Sequence, residues 1–411
     1  MNKQFLKSIA DIQTGPFGSQ LHKEDYVKEG TPIVTVEHLG NRMFTEQNLP
    51  KVSDSDKKRL SKYILAEGDI VFSRVGSVNR CSYVDLAHDG WMFSGRCLRV
   101  RPNAEVESLF LYYYFCLEET KQFIRNIAVG ATMPSINTKL LGEVEIICPE
   151  LKTQRKIVAI LSSLDDKIEL NKKINDNLAE QIKTICTAWL SDYVPFGGVL
   201  PDDWSKTSLS SIADFVSGYS YKGAELTESN IAMATIKSFD RKGGFKLDGY
   251  KEIVPSSKLK NTQHAELFDT LVAHTDLTQN AEVIGNAEPV MSKSGYSDII
   301  FSMDLVKVVP KNNHISKFLI SAILQDKKFK AHCLGYVNGT TVLHLSKKAL
   351  PEYQLYLPDD LSALKPLDEL VTALYQHISS NIEEITKLET LRDTLLPKLM
   401  SGELNVSGIK F

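Results

Sequence analysis

Two stretches of the chain carry apolar residues at alternating four- and three-residue steps. The first holds Ile157, Leu161, Leu164, Ile168, Leu178, Ile182, Ile185 and Trp189, with Asn171 and Asn175 filling the middle. The second holds Leu367, Val371, Leu374, Ile378, Ile385, Leu388, Leu395 and Leu399, with Asn381 and Arg392 in the gaps. This heptad pattern lays one apolar stripe along a helix. It predicts two helices of roughly 39 residues, about 58 Å each at 1.5 Å per residue. Two such seams in one chain most simply bury against each other as a two-stranded coil. The alternative is that each packs on its own globular domain. Asn171 and Asn381 occupy equivalent seam positions, where a polar residue weakens a coil but fixes its register. Otherwise they reach solvent at the seam edge.

Outside these stretches the pattern is shorter and mixed. Runs at Pro32–Val36, Asp69–Val75, Leu98–Arg101 and Glu143–Ile147 predict strands, as do Ala232–Ile236, Thr270–Ala273 and Leu305–Val309. Helical stretches lie near 108–124 and 315–331. Gly197-Gly198 follows the first long helix and Gly402 the second, as helix stop signals.

These halves are copies. Ser8-Ile9-Ala10-Asp11 recurs as Ser211-Ile212-Ala213-Asp214, and Gly15 recurs as Gly218. Asp69 is echoed by Asp269, and the run Phe93–Pro102 aligns without gaps on Phe301–Pro310. Gly130-Ala131-Thr132 aligns on Gly339-Thr340-Thr341, and Pro149 on Pro358. The offset drifts from 203 near Ser8 to 210 along the long helices. A steady frame with drifting offset means one fold used twice, with different loop lengths. The expected class is α/β (α+β). The expected order is a globule (1–150), a long helix (151–190), a linker (191–205), a second globule (206–361), a second long helix (362–400) and a tail (401–411).

Charge adds a constraint. With 48 basic and 51 acidic residues among 411, the chain is not a bulk polycation. Residues 1–150 carry 18 basic against 19 acidic residues, and residues 191–361 carry 18 against 20. Nucleic-acid binding would therefore rest on local clusters, such as Arg74 with Arg80, Arg96 with Arg99 and Arg101, or Lys327, Lys328 and Lys330. The six cysteines have no C-x-x-C spacing and no zinc-ligand pattern, so a metal site is not expected and a reducing, cytoplasmic setting is. The longest apolar run, Phe110–Leu117, falls far short of the ~20 residues a membrane span needs. No phosphate-binding loop, dinucleotide fingerprint, nucleophile elbow or H-E-x-x-H motif is present. The Asn/Asp-Pro-Pro-aromatic motif of amino-methyltransferases is also missing. Glu150-Leu151-Lys152 and Pro201-Asp202 stand in the wrong order for a metal-dependent nuclease. The pattern is that of a binder rather than a catalyst.

The sequence resembles the specificity (S) subunit of Type I restriction–modification systems. The resemblance runs over essentially the whole chain. It is carried by Ser8–Asp11 leading to Gly15-Pro16-Phe17-Gly18-Ser19, by Gly68-Asp69-Ile70-Val71-x-Ser73-Arg74-x-Gly76-Ser77, and by Pro149-x-Leu151-x-x-Gln154-x-x-Ile157. Leu200-Pro201-x-x-Trp204 opens the second half, and Leu391-Arg392-x-x-Leu395-Leu396-Pro397-x-Leu399-Met400-Ser401-Gly402 closes the chain. The resemblance implies two target-recognition domains, each followed by a spacer helix, with the two helices paired antiparallel about a pseudo-twofold axis. It implies double-stranded DNA as ligand, two modification subunits and two restriction subunits as partners, and no catalysis or cofactor in this chain. S-adenosylmethionine belongs to the modification subunit, ATP and magnesium to the restriction subunit.

The two halves depart from each other in their loops. Ala273-His274-Thr275-Asp276-Leu277 stands where the first half has Ser73-Arg74-x-Gly76-Ser77, and His344-Leu345-Ser346 replaces Ser135-Ile136-Asn137. Different loops on one frame predict different half-sites and an asymmetric bipartite target. Base reading needs paired donors and acceptors. The candidates are Arg74, Ser77, Asn79 and Arg80 in the first half, and His274, Thr275, Gln279 and Asn280 in the second. Gln20, Lys23, Tyr221 and Lys222, in the loops after the first strands, come next.

Overall fold

A computed structural model describes residues 2–16, 18, 20–241, 243–278, 280–311 and 313–408. The chain divides into two compact units. One comprises Met1–Asp166 with Glu389–Phe411, the other Lys167–Leu388.

In the first unit the main sheet orders its strands Ala10–Thr14, Cys97–Pro102, Ile70–Ser73 and Cys81–Tyr83, all antiparallel. Ile70–Ser73 is buried at all four positions, which suits its β-branched and aromatic residues. A second sheet orders Tyr26–Val27, Lys51–Val52, Thr31–Val34 and Met92–Phe93, the last pair parallel. Asn2–Phe5 pairs with Glu145–Cys148. Helices Ser108–Cys116 and Glu118–Ile127 cover the main sheet, with Phe72 edge-on to Phe115 at 4.7 Å.

The second unit repeats this wiring. Its main sheet runs Ala213–Ser217, Leu305–Pro310, Thr270–Ala273 and Ala287–Pro289. Its second sheet again holds one parallel pair, Ile231–Ala234 with Asp298–Phe301. Trp204–Ser208 pairs with Gln354–Pro358. Even the register is kept: Ala10 faces Pro102, and Ala213 faces Pro310. The repeated residues in the sequence are those the frame demands. A Cβ on Gly15 would lie 2.1 Å from the Ser94 carbonyl oxygen, and one on Gly218 2.0 Å from that of Ser302. Asp69 and Asp269 each accept a backbone N–H three residues upstream, from Ala66 at 2.8 Å and Glu266 at 3.0 Å. These Asp-capped turns lead into the buried central strands.

The long helices are Leu151–Leu190 and Lys365–Ser401. They run antiparallel. In the first unit Asp165 meets Arg392 at 2.9 Å, while Lys156 donates to the carbonyls of Val406 and Ser407 at 3.1 and 2.7 Å. In the second, Asn171 Nδ2 donates to Glu384 at 2.7 Å and Asn381 Nδ2 to Asn175 at 2.8 Å. Asn171 and Asn381 are thus buried and bonded across the pair, not turned to solvent.

The expected seam is only part of the buried surface. Ile157, Leu161, Ile168, Leu178, Ile182, Leu367, Val371 and Ile378 are buried, but Leu164, Ile185, Leu374, Ile385, Leu388 and Leu395 are half-exposed. Val158, Asp165, Cys186, Tyr375, Ser379 and Leu396 are buried instead. The reason is that each helix also docks on globular cores. Ile157, Val158, Leu161, Leu396, Leu399 and Met400 join the core of the first unit. Leu178, Ile182, Cys186, Leu367, Val371 and Tyr375 join that of the second. Both arrangements foreseen for the seams therefore coexist, and the apolar stripe is wider than a strict coiled-coil seam.

Candidate nucleic-acid interface

Four loops of the first globule meet at one end of its main sheet. The Gly15 N–H donates to the Cys97 carbonyl at 3.2 Å, and the Arg74 N–H to the Arg96 carbonyl at 2.8 Å. The Gly76 N–H donates to the Pro134 carbonyl at 2.8 Å, and the Ile136 N–H to the Arg74 carbonyl at 2.9 Å. Arg74 is the hub. Its backbone bonds to two neighbouring loops, and its guanidinium Nη1 donates to the Gly95 carbonyl at 3.0 Å. Ser77 and Arg80 are exposed and Asn79 half-exposed, and these three side chains make no hydrogen bond among the described residues. The Arg80 guanidinium lies over Gly40, where a Cβ would come within 2.7 Å of Nη2. Arg96 is exposed beside this group.

The second globule builds the same junction with other side chains. The His274 N–H donates to the Asp304 carbonyl at 2.8 Å, and the Leu345 N–H to the His274 carbonyl at 2.8 Å. Asp304 replaces Arg96 and His274 replaces Arg74, so the second junction is less basic. His274 is mostly buried, its Nε2 has no hydrogen-bond partner among the described residues, and burial with the nearby Lys347 pushes its pKa down to about 4. The ring is therefore neutral at pH 7. Thr275 is buried, its hydroxyl 3.4 Å from His344 Nδ1. Asp276 accepts from Thr278 and Val283 and folds the following loop. Neither His274 nor Thr275 offers a base a free edge, because this loop turns inward. Asn280 is exposed, and Gln279 lies outside the described residues.

The first-strand loops differ again from the expectation. Gln20 is tied down, its side chain accepting from the Tyr63 hydroxyl at 2.7 Å and its carbonyl from Arg59 at 2.9 Å. The backbone of Lys23 starts a short 3-10 turn, Lys23–Asp25. Tyr221 packs on a small core of Tyr219, Met233, Ile253 and Ile300, while Lys222 is exposed. Several residues of the basic clusters also serve the fold. Arg101 makes two bonds to Asp69, at 2.6 and 2.7 Å, Arg99 bonds Asp11 at 2.7 Å, and Lys330 bonds Asn286 at 2.6 Å. The hairpin Val129–Ser135 also belongs to this junction, though in sequence Gly130-Ala131-Thr132 marks it only as part of the repeat.

A buried chain links a loop of the second globule to the C-terminal helix. The Tyr375 hydroxyl donates to Gln325 at 2.9 Å, Gln325 Nε2 to Glu288 at 2.8 Å, and the Gly244 N–H to the other Glu288 oxygen at 2.7 Å. Burial raises the Glu288 pKa from the usual 4.5 to about 7. A carboxyl raised in the folded chain binds its proton more tightly folded than unfolded. Stability is therefore fully present below pH 4.5, falls as pH climbs towards 7, and falls no further above it. Because the neutral His274 contributes the opposite slope between about pH 4 and 6.5, the effect is read as a difference: in thermal melts across pH 4.5–8, wild type is expected to lose stability relative to Glu288→Gln as pH climbs towards 7. An unchanged slope in the variant assigns the effect to another group.

Among the described residues no three His, Cys, Asp or Glu side chains are grouped to hold a metal, and no helix is long and apolar enough to cross a membrane.

Comparison with known proteins agrees with this architecture. Residues 1–180 match the family model of the Type I restriction modification DNA specificity domain. The chain is 25% identical to the Type I restriction enzyme MjaIX specificity subunit of Methanocaldococcus jannaschii, over 98% of this chain and 93% of that protein. It is 23% identical to the HindI specificity subunit of Haemophilus influenzae, over 89% of this chain and 92% of that protein. The crystal structure of a Type-I restriction-modification system S subunit from M. genitalium superposes with a TM-score of 0.56 at 19% identity, covering 97% of this chain and 95% of that one. The chain thus resembles Type I specificity subunits in sequence along nearly its whole length, and shares the fold of one.

Proposed function

We infer that this chain is the DNA sequence-specificity subunit of a Type I restriction–modification system. One observation carries the reading further than resemblance: two globules share strand order, register and junction hydrogen bonds, yet expose different side chains where four loops meet. A shared frame with private loops is what reading two different half-sites requires. The target is then bipartite and asymmetric. Arg74, Ser77, Asn79, Arg80 and Arg96 serve the first half-site, and Asn280 with Lys222 belongs to the exposed set of the second. Phosphate contacts from exposed lysines fix the position, and base-edge contacts specify the sequence.

The chain performs no catalysis in this reading. Two modification subunits, holding S-adenosylmethionine, methylate an adenine flipped from the stack, and this subunit places them on the site. Two restriction subunits, using ATP and magnesium, complete the assembly in the cytoplasm.

Methylome sequencing of the host with and without this chain tests the reading. Loss of one bipartite adenine motif is expected, and a perfectly palindromic motif contradicts it. Arg74→Ala is expected to cost about 1–3 kcal/mol on the cognate duplex and to relax specificity at one base. An equal loss on random duplex would make Arg74 a phosphate contact instead.

A further inference from the structure

Large apolar side chains stand out in solvent on the same loops. Met133 is 66% exposed and Val129 63% in the first globule, and Leu277 is 66% and Met303 58% exposed in the second. No core asks for them there. The hairpin that carries Met133 is held firmly at its base. Val129 and Ser135 exchange backbone hydrogen bonds at 2.9 and 2.8 Å, and the Pro134 carbonyl accepts from Gly76. The tip is closed by Gly130 at φ +110°, where a Cβ would lie 2.8 Å from the Met133 carbonyl oxygen. A rigid turn, bonded through Pro134 to the Arg74–Ser77 segment at Gly76, thus presents a flexible, polarisable side chain to solvent.

The repeat makes the placement informative. Gly339-Thr340-Thr341-Val342 closes the same turn, with Gly339 at φ +107°. There the tip threonines are exposed and Val342 is half-buried. The apolar prominence moves to Leu277, on the loop after His274, and to Met303, beside Asp304. Each globule therefore exposes two apolar side chains at its junction, the more exposed being Met133 in the first and Leu277 in the second, on different loops. A phosphate cannot use such a group, and a contact with the C–H face of deoxyribose would not depend on sequence. In the major groove the 5-methyl of thymine is the apolar feature on a base edge.

Building on the specificity-subunit reading, we propose that Met133 contacts the methyl group of a thymine in the first half-site, and that Leu277 does the same in the second. Both are specificity determinants acting through burial rather than hydrogen bonding.

The test uses the complex assembled with its modification subunits and a set of cognate duplexes. In each duplex one thymine is replaced by deoxyuridine, which removes only the methyl. Wild-type affinity is expected to fall roughly fourfold at one thymine in each half-site, the worth of one buried methyl-sized group. Met133→Ala is expected to bind thymine duplex as weakly as wild type binds the deoxyuridine duplex, and to lose nothing more at that position. Its response in the second half-site stays intact, and Leu277→Ala gives the mirror result. Met133→Leu restores most of the discrimination. Because Met133 is exposed, the melting temperature is unchanged. Additive losses for Met133→Ala and deoxyuridine overturn the proposal, as does a flat deoxyuridine scan on a complex that still selects its sequence. An equal loss for Met133→Ala on every duplex overturns it too, and points to a contact with deoxyribose or with the modification subunit. A complex with no sequence preference at all overturns the specificity-subunit reading as well, and is distinct from these outcomes.

Discussion

Replacing Asp165 with alanine is expected to destabilise the first unit by about 2 kcal/mol or more, the cost of stripping a buried hydroxyl of its acceptor and breaking a half-buried ion pair. The carboxylate is almost fully buried, and both oxygens are engaged. Oδ2 accepts from the Tyr113 hydroxyl at 2.6 Å and Oδ1 from Arg392 Nη1 at 2.9 Å. One residue on the central helix thereby holds a core tyrosine and the C-terminal helix. Next to it, Asp166 accepts from Arg42 at 2.6 Å. Burial, with the Asp165 carboxylate beside it, holds the Tyr113 hydroxyl far above its ordinary pKa, so it stays a donor. Alanine leaves that hydroxyl without an acceptor and Arg392 with Asp393 as its remaining carboxylate partner. Urea unfolding, followed through hydrogen exchange of Ser108–Cys116, measures the loss. The double variant Asp165→Ala/Tyr113→Phe separates the causes, since removing the orphaned hydroxyl is expected to return about 1 kcal/mol or more. As a contrast, Lys3→Ala breaks an exposed pair with Glu145 and is expected to cost below about 1 kcal/mol. If Asp165→Ala costs no more than Lys3→Ala, the buried network contributes nothing net.

Asp165 also marks what the sequence conceals. On a heptad count it sits beside the seam and reads as a solvent-facing acid. Its partners are 52 and 227 residues away, and only the fold reveals that this face meets a globular core. Gln154, buried and accepting from the Glu107 N–H at 2.9 Å, and Tyr375 were hidden for the same reason: a polar group on a helix is legible as buried only when its partner is known. The duplication was plainly legible, because Gly15 and Gly218, or Asp69 and Asp269, answer local demands that admit few residues. The sheets were legible at their apolar central strands. The flanking strands Ala10–Thr14 and Ala213–Ser217, each with a polar residue on the exposed side, were not. The candidate interface was legible as a place and not as a residue set. Exposure in a loop depends on its turns. Asp276 folds the second loop inward and buries Thr275, and Tyr63 holds down Gln20. Nothing in local composition announces either.

Lengthening both long helices by one matched heptad is expected to abolish recognition of the native target while both half-site sequences survive. The helix contacts dictate where the insertion goes. Asn171 bonds Glu384 and Asn175 bonds Asn381, so seven residues after Lys173 and seven after Ile382 fall between the two polar pairs on both strands. Both pairs are kept, with one extra heptad between them. An insertion in a single helix cannot do this, since it moves one member of a pair by two turns and leaves buried asparagines unpartnered. It is expected to destabilise the helix pair, not simply to re-space the target. The matched insertion adds about 10.5 Å of helix, close to three base pairs of duplex at 3.4 Å each. Three base pairs also turn the second half-site by roughly 100°, at 10–10.5 base pairs per turn, so the new complex binds with torsional strain and more weakly than the native one. Methylome sequencing is then expected to show the same two half-sites separated by a spacer about three base pairs longer. An unchanged spacer from a stably folded matched insertion means that the helices do not measure the site. In that case the separation is set by the modification subunits alone.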